Sequence, residues 1–296
     1  MVFVFLIAIS IVFCFWRQGE KNVPDYGKLR EPDSGKNSVR QLPLSQNQPW
    51  PSVSYQKPPE SETIKFPIFN YHHIRPMPPE TAPINERSFT VTPQIFEEHL
   101  KYFQENGYQV VLAEELLNYF DSGQPLPPKA AAITFDDGRY GQYEFAFPLL
   151  KKYGVKATFF ITTDWVGKKD FMTWAQIKEM SDNGMIIGSH AVTHPHLAEL
   201  SDEKLKQELE ESKKILAEKI GPLRRSDSEA SQLADLLAYP GGNYSDRVIE
   251  FTKNAGYRGA FGVYKIIDQS PKYRYSIRRF HADDNLESIA SKLMKY

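Results

Sequence analysis

The hydrophobic pattern changes character along the chain. Residues 2–16 are apolar without a break except at Ser10. Residues 17–63 are dominated by Pro, Ser, Gln, Asn and Lys, a composition that buries too little apolar surface to fold and predicts a flexible tether. From Ile64 to the C-terminus, short apolar runs alternate with stretches of helical period, so 64–296 is the expected folded domain. Its first run, 64–71, reads as a strand ending at His72-His73. Thr92 caps an amphipathic helix carrying Ile95, Phe96, Leu100 and Phe103 and stopped by Gly107. A buried strand follows at 130–135, a helix at 143–153 before Gly154, a strand at 155–161 and a helix at 174–183 before Gly184. The strand 185–188 leads into His190. Ser201 caps a helix reaching about Ile220, with Asp202 and Glu203 in its first turn. A strand at 236–239 enters Pro240-Gly241-Gly242, Ser245 caps a helix ending at Gly256, and 275–280 and 286–294 are the last strand and helix. No internal repeat interrupts this order. Strand–helix alternation predicts an α/β fold around a parallel sheet, open or closed. The chemically distinctive residues fall just after strands, where α/β barrels place their active sites.

The apolar stretch 1–16 is shorter than the roughly 20 residues of a membrane span. It resembles a signal-peptide core, yet it lacks a basic start and no small-x-small cleavage site follows. It is expected to be an uncleaved or short membrane anchor. Arg17 and Lys21 just after it would hold that flank in the cytoplasm by the positive-inside rule, which opposes export of the domain. Cys14 is the only cysteine, so the remainder has no disulfide and no thiolate metal site. Phe13 before it is too large for a lipidation signal. A net charge of −1 argues against nucleic acid as a partner. At 13% aromatic, the chain has rings enough to line a sugar groove, although most will be core.

The chemistry concentrates in Thr134-Phe135-Asp136-Asp137-Gly138. Two adjacent carboxylates resist ionising together unless a cation is present. Asp-Gly is also a common turn signal. His190 and His194 shift the balance: their i, i+4 spacing would put both on one face of a helical turn, directed at one ion. Asp137, His190 and His194 then form a set of protein ligands with positions left for water and substrate, equipment for metal-assisted hydrolysis near neutral pH. Asp136 remains free as general base. His196 points elsewhere and is a weaker ligand candidate. A leaving amine needs a proton, and His72, His73 and His281 are the candidate acids. Backbone N–H groups around Gly241 could donate to an oxyanion.

These residues resemble the polysaccharide deacetylase family (NodB-homology, carbohydrate esterase 4). Thr134 to Gly138 resembles its first motif, Ser189-His190 through His194-Pro195-His196-Leu197 its second, and Ala238-Tyr239-Pro240-Gly241-Gly242 its third. The similarity runs from Ile64 to the C-terminus and includes 147–160. Within the family the chain looks most like the branch acting on poly-β-1,6-N-acetylglucosamine, where the motif order is permuted and an early Tyr-His supplies the active-site histidine. Tyr71-His72 matches it, which favours His72 as the acid, with His281 second. The resemblance implies a distorted (β/α)7 barrel, a divalent metal (Zn2+, with Co2+ or Ni2+ as alternatives) and a sugar-polymer substrate. It also implies an extracytoplasmic location. Tyr239 and Gly241 fall in the substrate and oxyanion region, and Trp174 stands where relatives often carry an acetyl-pocket tryptophan, a core role being as consistent. Ala238 stands where many members have an arginine that orients the catalytic Asp, so the partner of Asp136 is unidentified. Gly241 replaces the usual aromatic, and the polar stretch 224–232 reads as an extra loop near the substrate path.

Removal of N-acetyl groups from a GlcNAc-containing polymer is the leading expectation, with chitin and peptidoglycan as alternatives to the poly-β-1,6-linked polymer. An O-acetyl esterase would use the same metal chemistry, and a non-catalytic glycan-binding protein would have lost a ligand or the base, which this sequence retains.

Overall fold

Strands and helices alternate through the computed structural model, which describes residues 55–221, 235–264 and 266–294. The apolar segment 1–16, the tether up to residue 54 and the stretch 224–232 lie outside the described residues. The packed body begins before Ile64. Pro58 is buried, Tyr119 Oη donates to Glu62, and Ser270 Oγ donates to the Glu60 carbonyl at 2.7 Å.

The central strands are β1 (Ile68–Tyr71), β2 (Ala130–Phe135), β3 (Thr158–Ile161), β4 (Ile186–Ser189), β5 (Leu236–Ala238), β6 (Gly259–Phe261) and β7 (Phe280–His281). They pair in parallel in the order β6-β5-β4-β3-β2-β1-β7. The segment leading into β7 joins the two edges. Ile277 bridges Phe261 in parallel, Gly262 N–H donates to the Ile277 carbonyl and Tyr264 N–H to that of Arg279, while Phe280 and His281 pair with Phe69 and Asn70. The sheet thus curls into a distorted parallel barrel, as the sequence leads one to expect. The segment 275–280 is regular strand only at its end because it hands over from β6 to β1 partway along.

Strand alternation divides the core. Ile68, Ala130, Ala132, Phe160, Ile186, Leu236, Ala238, Phe261 and Ile277 pack together inside the barrel. The intervening residues Phe69, Ala131, Ile133, Phe135, Phe159 and Ile187 pack outward against helices. Small alanines in β2 leave room for Phe160 and Phe261 within. Outside lie α1 (Pro93–Glu105), α2 (Glu114–Ser122), α3 (Phe147–Lys152), α4 (Trp174–Asp182), α5 (Asp202–Ile220), α6 (Asp246–Asn254) and α7 (Leu286–Leu293). Thr92, Ser201 and Ser245 each accept a hydrogen bond from the third residue of their helix, as expected of caps. The helix expected at 143–153 instead opens with a π turn at Gln142–Ala146. The sequence reading missed α2 and the short strand Gln109–Val111, despite acidic residues in the first turn of α2 and a left-handed Gly123 at its end.

One buried group links this packing to pH. His99 of α1 is fully buried, and its Nδ1 lies 3.0 Å from Tyr71 Oη. Burial lowers its pKa from 6.5 to about 4, with Asp284 pulling the other way. Its folded-state pKa lies below the unfolded value, so the neutral ring stabilises the fold above about pH 6.5 and that stability is lost as pH falls towards 4. Acidification across this window should cost about 3 kcal/mol through His99 alone. Denaturant titrations at pH 7 and 4.5 on wild type and His99→Gln will check it. An equal pH dependence in the two proteins would remove His99 as the cause.

Candidate metal centre and catalytic cleft

The inward register of three strands builds the site. Along β2 the inward series Ala130, Ala132, Thr134 continues to Asp136; along β1 it runs Ile68, Asn70, His72; along the closing segment it runs Ile277, Arg279, His281. Each series turns from apolar to polar at the same end of the barrel. The polar side chains meet there because β1 lies between β2 and β7.

Asp136 is almost fully buried and tightly held. Arg279, itself inaccessible to solvent, donates from Nη1 to Oδ1 at 2.7 Å and from Nη2 to Oδ2 at 2.9 Å. Asn70 Nδ2 donates to Oδ2 at 2.9 Å. Arg279 Nη1 also reaches Asn70 Oδ1 and Thr134 Oγ1, and its Nε donates to the Gly262 carbonyl. Burial alone would raise the Asp136 pKa. The charge of Arg279 and its hydrogen bonds outweigh it and hold the carboxyl well below the usual carboxylate range. The missing partner of Asp136 is therefore Arg279, supplied by the closing segment rather than from position 238. Sequence reasoning passed over it, although an arginine in alternation with Ile277 and His281 was the available signal.

Asp137, His190 and His194 come together. One ligand atom from each lies within 4.8 Å of the others. Asp137 Oδ1 is 3.7 Å from Nε2 of His190 and 3.7 Å from Nε2 of His194. The histidines converge by a different route from the expected helical turn. The chain after β4 is an irregular loop, with Ala191 and His194 both at φ 63°. Asp137 also has positive φ, 76°. Left-handed backbone at non-glycine residues costs of order 1 kcal/mol or more and recurs where function dictates geometry. His190 Nδ1 lies 2.8 Å from the Ala238 carbonyl and must donate to it, which turns Nε2 towards Asp137 as the nitrogen available to an ion. His194 stacks on Trp165, ring centroids 5.0 Å apart, and burial lowers its pKa, favouring the neutral ligand form. One carboxylate oxygen and two imidazole nitrogens around one point suit Zn2+ or a similar divalent ion.

The candidate acids differ. His72 Nε2 lies 4.0 Å from Asp136 Oδ2, and its ring packs against those of Phe89 and His281, which also touch each other. Burial lowers its pKa to about 4 against the pull of Asp136 and Asp137. His281 Nε2 is instead 3.0 Å from the Ser88 carbonyl. His73 is lowered to about 3 by burial and then by Arg139 and Arg75, so it faces cations where His72 faces carboxylates. Gln142, delivered by the π turn, donates from one amide nitrogen to the carbonyls of His72 (2.8 Å) and Asp136 (2.6 Å), tying two strand ends together.

A cleft of about 540 Å³ opens over these groups, lined by His72, Asp137, Arg139, Trp165, His194 and Gly241 among others. Gly241 has φ 64°, a conformation that favours glycine, and no atom lies closer than 3.8 Å to where its Cβ would be. Its backbone therefore sits open to the cleft. Other expected members of the site lie elsewhere. The Tyr239 side chain is fully buried, donating to the Tyr275 carbonyl at 2.9 Å, and its N–H is taken by the Phe261 carbonyl. Trp174 begins α4, with its ring packed on the outer core; Trp165 is the tryptophan at the cleft. His196 is exposed, beside Gly241.

The polysaccharide deacetylase family model matches residues 123–260. YxkH of Bacillus subtilis (strain 168) is 32% identical over 194 residues, covering 66% of this chain and 63% of its own, so the chain spans just under two thirds of that relative. A poly-beta-1,6-N-acetyl-D-glucosamine N-deacetylase of Staphylococcus aureus (strain MSSA476) is 25% identical over 224 residues, 70% of this chain and 72% of its own. Among solved structures, the Streptococcus pyogenes deacetylase PplD in complex with acetate superposes with a TM-score of 0.69 at 27% identity, covering 78% of this chain and 99% of PplD.

Proposed function

This chain belongs to the polysaccharide deacetylase family, and from that premise we propose that it is a metal-dependent hydrolase removing N-acetyl groups from a GlcNAc-containing polysaccharide. The observation that carries the reading is the pairing of two unlike carboxylates. Asp137 faces two histidine nitrogens, while its neighbour Asp136 is held ionised by Arg279 in the same cleft.

Asp137, His190 and His194 would hold the divalent ion, Zn2+ by the donor set. Bound there, it would supply Lewis acidity, polarising the acetyl carbonyl and lowering the pKa of a water. Asp136 takes the proton from the attacking water; Arg279 and Asn70 fix both carboxylate oxygens so that little reorganisation is needed. The Gly241 N–H faces the developing oxyanion. His72, within 4.0 Å of Asp136, relays the proton that Asp136 takes from the water to the departing amine nitrogen. Trp165 and the stacked His194 ring form an apolar wall against which the acetyl methyl packs.

The likeness to the S. aureus enzyme supports poly-β-1,6-GlcNAc as the substrate. An extracytoplasmic domain tethered by the N-terminal apolar segment fits a polymer outside the cell; among the described residues no helix is long and apolar enough to cross a membrane. An amide leaving group needs protonation far more than an activated phenol does. His72→Ala should therefore slow amine release by about 100-fold while leaving aryl acetate hydrolysis within a few-fold of wild type. Equal losses on both substrates would move the acid elsewhere.

A further inference from the structure

Asp137 uses its two oxygens differently. Oδ1 faces both histidine nitrogens. Oδ2 accepts from Arg139 Nε at 3.0 Å. This arginine is held independently of that contact. Its guanidinium carbon lies 4.5 Å from the Phe171 ring centroid and 5.5 Å from that of Trp165. Its backbone forms a bridge with Phe171, flanked by bonds from Tyr140 N–H to the Asp170 carbonyl and from Met172 N–H to the Gly138 carbonyl. The mechanism above gives Arg139 no role.

We propose that Arg139 is a positioning residue of the metal centre that reserves one oxygen of Asp137, so that the carboxylate offers the ion a single donor, and that it sets the ion's affinity lower than the ligands alone would give. The inference rests on the metal-dependent reading above. A guanidinium is always charged, so its hold on Oδ2 does not lapse with pH. Chelation through both oxygens would require Oδ2 to leave Arg139, against the cation–π contacts that fix the guanidinium. A permanent positive charge one carboxylate away from a dication also repels it and draws electron density from the shared ligand. The ion then stays short of donor charge and more electrophilic, while the carboxylate keeps its orientation. Removing a hydrogen-bonded partner of a metal ligand commonly costs about 10–100-fold in affinity, because such partners are usually neutral or anionic acceptors. Here removing the partner removes a repulsive charge and frees a donor atom, so the change should be a gain.

The test is Co2+ binding by the full chain, measured by competition with a chromophoric chelator together with visible absorption of the bound ion. Wild type should bind one ion. Arg139→Met and Arg139→Gln should each bind about tenfold more tightly. Their absorption per ion should be weaker, because an added donor atom raises the coordination number. Arg139→Lys, which keeps the charge, should stay close to wild-type affinity. Unchanged or weaker binding in both neutral variants would overturn the role of Arg139. Failure of wild type to bind Co2+, with His190→Ala behaving identically, would instead remove the metal reading and this inference with it.

Discussion

Arg279→Met should reduce deacetylation by about 100-fold and stability by about 3–5 kcal/mol. The guanidinium is the charge that balances Asp136, and both groups are shut off from solvent. Removing it strands a carboxylate in the barrel interior. The carboxyl must then take up a proton, losing its use as a base, or remain charged at a large desolvation cost. The substitution also unpins Asn70 and Thr134, which share the same Nη1. Arg279→Lys retains the charge but not the fork that spans both oxygens, so it should recover more stability than activity. Thermal unfolding and initial rates on the three proteins check this. Wild-type stability in Arg279→Met would show that the pair contributes nothing to folding.

Asp136→Asn should lower turnover by about 10³-fold, within the range typical of removing a positioned base. Metal should remain bound, because the ligand atoms converge on Asp137, His190 and His194 without Asp136. Asparagine preserves the shape yet presents an amide N–H₂ where Arg279 and Asn70 both donate, so a modest loss of stability should accompany the loss of rate. Metal content per chain, measured beside the rate, separates the two carboxylates: a metal-depleted Asp136→Asn would make Asp136 a ligand rather than the base.

Much of this was legible in the residues, for identifiable reasons. The strand 130–135 is apolar except at Thr134 and is followed at once by two aspartates, and its period places Asp136 inside the barrel. The caps at Thr92, Ser201 and Ser245 are local signals, and the structure uses them as local caps. The i, i+4 spacing of His190 and His194 picked out a pair that does converge with Asp137, though through a loop rather than a helical turn. Here the loop reverses at Ala191 and His194, and left-handed φ at non-glycine residues has no signature in composition. Arg279 was hidden for a different reason. It lies 143 positions from Asp136, and only closure of the barrel, through Ile277 on Phe261 and Phe280 on Phe69, brings the two together. Trp165 and Trp174 are likewise indistinguishable as residue types. One lies in the loop after β3 facing the cleft, the other on a helix facing the core.

The most direct measurement is amine release from acetylated poly-β-1,6-glucosamine oligomers by the full chain, before and after chelation and after restoring Zn2+. The account predicts release that chelator abolishes, Zn2+ restores and Asp136→Asn lacks. Release that persists in fully metal-depleted protein would contradict it, as would a metal-loaded protein that frees no amine from this polymer, chitin oligomers or peptidoglycan.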